Sequence, residues 1–383
     1  MIRSTKALTV SSFLSMFFIG VGSTVIGAAA RNIGLTPSQI GLLLAVQNVG
    51  FGLSVSTSGA LSDSYQKPKI LLVGAIVLSI AFALFYRWPS FVTNLIIMFF
   101  IGIGMGGFEG VTDAMLLDIH EEKESLFINV NHFFVTFGSL MIALYLLFLQ
   151  MNWQKSMAQS SIAVACIAIL FALSRLENRR GASEKMLDRI RSLKGERSVF
   201  ILFIATACIV GCELGTQGIM TTFLMELRGF SQVTSKLGLI IFLSGVAIGR
   251  LLVGLFTKRH HLSGSILVLL ALCTVLFSTL FFIDTNSKLG LTFTLIFLNG
   301  LTLSAVFPLI LSLAGIMYKQ MAGTVLGIIK MGIPFGGIFI PIILAMISRY
   351  YSFRLSLLVF PFFSFVSFII LLTNRNKFRS FNL

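Results

Sequence analysis

Gly59-Ala60-Leu61-Ser62-Asp63-Ser64-Tyr65-Gln66-Lys67-Pro68-Lys69 is a short polar break between two long apolar runs, with an aspartate four residues after its first glycine and two lysines beyond. The runs on either side set the class of the chain. An apolar stretch of about 18 or more residues can cross the hydrocarbon core of a bilayer as a helix, and about twelve such stretches follow one another here. Of the 383 residues, 56% are hydrophobic and only 11% are charged. In lipid a backbone satisfies its own polar groups only as a helix or a closed barrel, and these runs are continuous where barrel strands would alternate. The expected fold is an all-α membrane protein with twelve transmembrane helices.

The first run ends in Gly27, Ala28, Ala29 and Ala30, which imitates the small-residue cleavage site of a removable signal peptide. Its glycine spacing recurs later in the chain, so it is read as a retained helix. The formal net charge of +15 is a topology signal rather than a mark of nucleic acid. With the N-terminus in the cytoplasm, roughly 20 Lys and Arg fall on inner segments and roughly 8 on outer ones. Both termini are therefore expected on the cytoplasmic side of the cell inner membrane. Arg175 to Arg197 is the longest non-apolar segment and divides the runs into six and six. The expected organisation is a bundle over 1–174, a basic linker over 175–197 and a second bundle over 198–383. Within the linker, Met186, Leu187, Ile190 and Leu193 share a helical face ringed by Lys185, Arg189, Arg191 and Lys194. That pattern suits a helix on an anionic leaflet or a plain solvated linker.

The halves repeat one another. Gly20 and Gly27 have the spacing of Gly211 and Gly218; Gly59 with Asp63 matches Gly254 with Lys258; Phe137, Gly138 and Ser139 match Phe335, Gly336 and Gly337. A parallel repeat of two six-helix units predicts a substrate cavity between them near the midplane.

The segment at 59–69 resembles the cytoplasmic loop motif of the major facilitator superfamily, with Ser64 and Gln66 where arginine and glycine are common. In physical terms Gly59 permits close helix approach, and Asp63 can accept hydrogen bonds from a neighbouring helix N-terminus to lock an inner gate. Gly249, Arg250, Gly254, Lys258 and Arg259 form the degenerate second copy. A narrower resemblance, to the fucose permease and glucose/mannose proton symporter group, is carried by Gly107, Phe108, Glu109 and Asp113, by Asn131, His132, Phe133 and Phe134, and by Val210, Gly211 and Glu213. Phe307 and Pro308, with Gly336, Gly337 and Pro341, extend it. Asp113 stands where that group often has asparagine, and Lys330 is not expected there.

Glu109, Asp113, Glu213 and Lys330 each lie inside an apolar run, where an ionisable group is costly and marks a site. Burial disfavours the charged form of a carboxylate, which suits Glu109, Glu213 and Asp113 to proton coupling. Lys330 has three readings: a counter-ion to Glu213 or Glu109, a site for an anionic substrate group, or a side chain snorkelling to the cytoplasm. His132 is either a proton relay or a hydrogen-bonded packing residue. Gln47, Asn48, Thr216, Gln217 and Asn299 are candidate substrate contacts or interhelical glue. Gly59, Asp63, Arg250, Pro334 and Pro341 are the gating candidates, the prolines because each removes a backbone bond from the eleventh helix. Trp88 and Trp153 read as interface anchors.

Cys166, Cys208, Cys212 and Cys273 lie within apolar helices and read as packing thiols rather than as a metal site. No Gly-rich loop ending in Gly-Lys-Ser or Gly-Lys-Thr is present, so ATP-driven pumping is not expected. No nucleophile with a base, and no cofactor site, is visible. The expectation is a monomeric proton-coupled secondary transporter for a sugar or related small polar solute, its partners being that solute, protons and lipids. A proton antiporter exporting lipophilic compounds and a non-transporting membrane sensor are the alternatives.

Overall fold

The computed structural model describes residues 4–35, 37–148, 152–176, 186–258, 261–283 and 289–379. Lys185, Arg259 and His260 lie outside the described residues. Among the described residues every element is a helix, and twelve spans are long and apolar enough to cross a membrane. The first six are α1 (Thr5–Ile33), α2 (Pro37–Ser62), α3 (Lys67–Leu84), α4 (Phe91–Ile119), α5 (Glu124–Phe148) and α6 (Trp153–Leu173). A short α7 (Met186–Ser192) follows, and then α8 (Arg197–Glu226), α9 (Gln232–Phe256) and α10 (Leu262–Phe282).

Each of the last three spans is built from two helices. These are α11 (Leu289–Ser304) with α12 (Val306–Met317), α13 (Ala322–Lys330) with α14 (Gly332–Tyr350), and α15 (Phe353–Ser356) with α16 (Val359–Thr373); α17 (Arg375–Arg379) follows. The sequence explains the breaks. Pro308, Pro334 and Pro361 each stand third in the second helix of a pair. Proline has no N–H to give to the residue four before it and crowds that carbonyl, so the preceding helix stops and a new one starts with proline in its first turn. Pro341 lies inside an unbroken α14, so of the two prolines expected to loosen this span only Pro334 marks an interruption.

The chain divides into two compact units. Unit 1 holds Met1–Glu121, Val130–Gly195 and Tyr318–Met331; unit 2 holds Glu122–Asn129, Glu196–Met317 and Gly332–Leu383. Within unit 1, α1 crosses α5 where a Cβ on Gly20 would fall 2.7 Å from the Ser139 amide and one on Gly138 2.8 Å from the Phe17 carbonyl carbon. Within unit 2, α8 crosses α14 where a Cβ on Gly211 would fall 2.6 Å from the Gly336 carbonyl oxygen. These are the glycines that repeat in the sequence, and each lets two backbones touch, the main source of helix adhesion where lipid removes the hydrophobic drive.

Two sequence expectations are corrected by burial. Trp153 is buried against Phe85 and Tyr86, with ring centroids 5.9 Å and 6.1 Å away, and so packs inside the unit; Trp88 is exposed. Arg189, expected among the charges ringing the linker helix, is fully buried and donates from Nη2 to the Ala60 carbonyl at 2.8 Å. It caps the C-terminal turn of α2, whose last carbonyls have no helical donor.

Candidate functional site

Glu109 and Asp113 are one turn apart on α4, and both side chains are buried. Two carboxylates at that spacing repel each other, so cations must answer them. Within unit 1, α13 packs against α2 and α4 and brings in Lys330, its last residue. The Lys330 ammonium lies 2.6 Å from Asp113 Oδ2 and 3.0 Å from Glu109 Oε1, and it also donates to the Glu109 backbone carbonyl. The ammonium is thus surrounded by three oxygens, one of them a backbone carbonyl. Lys330 is fully buried, which excludes snorkelling, and its carboxylate partners are Glu109 and Asp113.

α5 supplies the remaining contacts. His132 Nε2 lies 3.0 Å from Asp113 Oδ2 and 3.8 Å from Glu109 Oε1. Asn131 donates to Asp113 Oδ1 at 2.7 Å and to the Thr112 hydroxyl at 3.2 Å, and its own side-chain oxygen accepts from Ser12 on α1 at 3.1 Å. The two acids are therefore held unequally. Asp113 faces Lys330, His132 and Asn131, whereas Glu109 Oε1 has the ion contact to Lys330 without hydrogen-bond alignment.

Asp63 sits at the N-terminus of α13. Its Oδ1 accepts from the Gly323 amide at 2.8 Å, and its Oδ2 from the Thr324 amide at 2.7 Å and the Thr324 hydroxyl at 2.6 Å. The first amides of a helix have no helical acceptor and carry the positive end of its dipole, so a carboxylate is the natural cap. Burial is the largest influence on this group and pushes its carboxyl above the ordinary value, against the Thr324 and Gly323 bonds and the charge of Lys67. Gly59 makes the approach possible: a Cβ there would meet the Gly323 carbonyl oxygen at 2.6 Å and Gly327 Cα at 2.9 Å. In the second copy a Cβ on Gly254 would meet Asn129 Cβ at 2.7 Å, so the close approach is repeated inside unit 2. The capping carboxylate is not repeated, because Lys258 occupies that register.

In unit 2, Glu213 on α8 is paired with Arg250 on α9. Arg250 Nη2 lies 3.0 Å and 3.2 Å from the two Glu213 oxygens, and Arg250 Nε donates to the Ser304 carbonyl at 3.4 Å. Pro308 leaves that same carbonyl without its helical donor, so the break between α11 and α12 creates an acceptor that Arg250 uses. Gln217 donates weakly to Glu213 Oε1 at 3.4 Å.

The uncharged candidates are bonded mostly to backbone. Gln47 donates to the Gly22 carbonyl at 3.1 Å, joining α2 to α1. Asn299 donates to the Leu276 and Leu295 carbonyls at 3.1 Å and 2.9 Å, joining α11 to α10. Asn48 is half-buried, and Thr216 is fully buried. The sequence reading did not single out Thr112, Ser12 or the capping role of Arg189, and it knew Asn131 only through resemblance.

Residues 8–331 match the model of the Major Facilitator Superfamily. The Glucose/mannose transporter GlcP of Bacillus subtilis (strain 168) is 20% identical over 335 residues, which cover 79% of this chain and 77% of that protein. The structure of the E. coli Fucose:proton symporter, FucP, aligns with a TM-score of 0.78 at 18% identity, over 97% of this chain and 99% of that one. The proton:xylose symporter XylE, bound to 6-bromo-6-deoxy-D-glucose, aligns with a TM-score of 0.74 at 13% identity, over 96% of this chain and 95% of that one. At these identities the structural likeness establishes the fold.

Proposed function

Because this chain belongs to the Major Facilitator Superfamily, we propose that it is a proton-coupled secondary transporter of a sugar or related small polar solute, working by alternating access, with Glu109 carrying the proton. The observation that carries this reading is a charge count. Glu109 and Asp113 bring two negative charges into a buried volume that holds one fixed positive charge, Lys330. Lys330 leaves one negative charge to be answered by a proton, held on an acid or on His132, whose Nε2 lies 3.0 Å from Asp113 and 3.8 Å from Glu109.

Glu109 is the better acceptor of that proton. Protonating Asp113 would disturb its contacts to Lys330, Asn131 and His132, whereas Glu109 Oε1 is engaged only by the longer ion contact and has His132 3.8 Å away for exchange. Glu213 is paired with Arg250, a permanent cation, at 3.0 Å. The sugar assignment is supported by the names of GlcP, FucP and XylE. The repeated glycine contacts support two six-helix halves joined by the linker at 175–197, and the lysine and arginine bias supports a cytoplasmic membrane with both termini inside.

The test uses protein reconstituted in proteoliposomes with a panel of labelled hexoses and pentoses. Wild type should accumulate one of them under a pH gradient that is acid outside, so that protons flow inward. Glu109→Gln should still exchange that sugar in counterflow, which needs no net proton movement, but should fail to accumulate it. Equal accumulation by Glu109→Gln and wild type would rule out the assignment of Glu109.

A further inference from the structure

We propose that Lys330 is a tethered cation filling what is otherwise a transition-metal site, and that it keeps divalent ions out of it. The inference concerns the same side chains as the transport reading above, while the binding it predicts is independent of transport.

The donors come from three positions. Glu109, Asp113 and His132 each offer one ligand atom, and these atoms lie within 4.8 Å of one another in a fully buried group. Two carboxylate oxygens and an imidazole nitrogen form a donor set for zinc-like and cobalt-like ions, which accept mixed oxygen and nitrogen ligands. The support around them is also in place. Asn131 holds the second oxygen of Asp113 at 2.7 Å, which fixes the direction in which Oδ2 points. Glu109 Oε1 is buried, takes no hydrogen bond and lies within 4.8 Å of the other two donor atoms.

A cation already stands there. The Lys330 ammonium contacts Asp113 Oδ2 at 2.6 Å and Glu109 Oε1 at 3.0 Å, and it is fully buried. The difference between this occupant and a metal is charge. A divalent ion would match the charge of both carboxylates, whereas the ammonium matches one and fills the space between them. Covalent attachment also sets the ammonium's local concentration by the geometry of α13 rather than by the ions in solution.

The test is equilibrium binding of Co2+ to the purified full-length protein in detergent, read by visible absorption of the bound ion and by metal per chain. Lys330→Met keeps side-chain bulk while removing the charge, and Lys330→Arg keeps the charge. Lys330→Met should bind about one Co2+ per chain, with affinity roughly tenfold or more above wild type. Adding His132→Ala to Lys330→Met should remove that binding by a similar factor. Co2+ should raise the melting temperature of Lys330→Met but not of wild type or Lys330→Arg, which also shows that the variant is folded. A folded Lys330→Met with no more Co2+ binding than wild type overturns the proposal. So does wild-type binding that depends on His132. Loss of proton coupling in Glu109→Gln bears on the transport reading alone, so the two can fail separately.

Discussion

Arg250 holds Glu213 through a single nitrogen, Nη2, placed 3.0 Å from one carboxylate oxygen and 3.2 Å from the other. Both side chains are buried, so removing the guanidinium leaves the Glu213 carboxylate buried without this cation. Arg250→Ala should destabilise the protein by about 3 to 5 kcal/mol, and adding Glu213→Gln should recover most of that loss. Thermal melts of the two single variants and the double variant check it. Because the pair is already neutral, Glu213→Gln should still accumulate substrate under a pH gradient.

Lys330 and Asp113 are coupled in the same sense but within a larger network. Lys330→Ala leaves two buried carboxylates facing each other, and its cost should also be about 3 to 5 kcal/mol. Asp113→Asn in that background should restore part of the stability, since it removes one of the two charges and keeps a side chain that can bond Asn131. A double-mutant cycle with an interaction energy below about 0.5 kcal/mol would contradict the contact at 2.6 Å.

For Asp63 the pH dependence has a definite sign. Burial raises its folded-state value above the ordinary 3.8, so its contribution to stability is fully present below 3.8 and is lost as pH rises through the folded value. Asp63→Asn has no such dependence. The wild-type melting temperature should therefore fall relative to that of Asp63→Asn as pH is raised through this window. If Asp63→Asn instead loses ground over the same rise, the bonds from the α13 N-terminus outweigh the cost of burial.

The α1–α5 crossing should tolerate no added side chain. A Cβ on Gly138 would fall 2.8 Å from the Phe17 carbonyl carbon, an atom of a helical backbone that cannot swing aside. Gly138→Ala should cost about 1 to 3 kcal/mol. Gly264 in α10, with nothing within 4 Å of its Cβ position, is the control, and Gly264→Ala should not lower the melting temperature.

The twelve spans and the repeat were legible because membrane helices announce themselves by length and apolar content, and because Gly20, Gly138, Gly211 and Gly336 sit at backbone contacts where only glycine fits. Glu109, Asp113, His132 and Lys330 were each conspicuous as polar groups in apolar runs. Their assembly was only partly legible: Glu109 and Asp113 are linked by helical periodicity, but no local pattern ties either to a lysine on α13. Glu213 and Arg250 were noticed for separate roles, and the carbonyl that Pro308 exposes to Arg250 belongs to backbone geometry. Arg189 was misread because an amphipathic linker pattern describes the surface a helix offers, not the helix end it covers.

The separation of 221 residues between Glu109 and Lys330 has a consequence for how the protein is made. Chain synthesis delivers α4 long before α13, so Glu109 and Asp113 must enter the bilayer, or wait at its edge, before their ammonium exists. Asn131 and His132, only 18 and 19 residues past Asp113, are the first partners to arrive. The nascent first half therefore has to be carried through insertion with its acids protonated, hydrated or shielded by the insertion machinery, and the charge pair closes only when the eleventh span emerges.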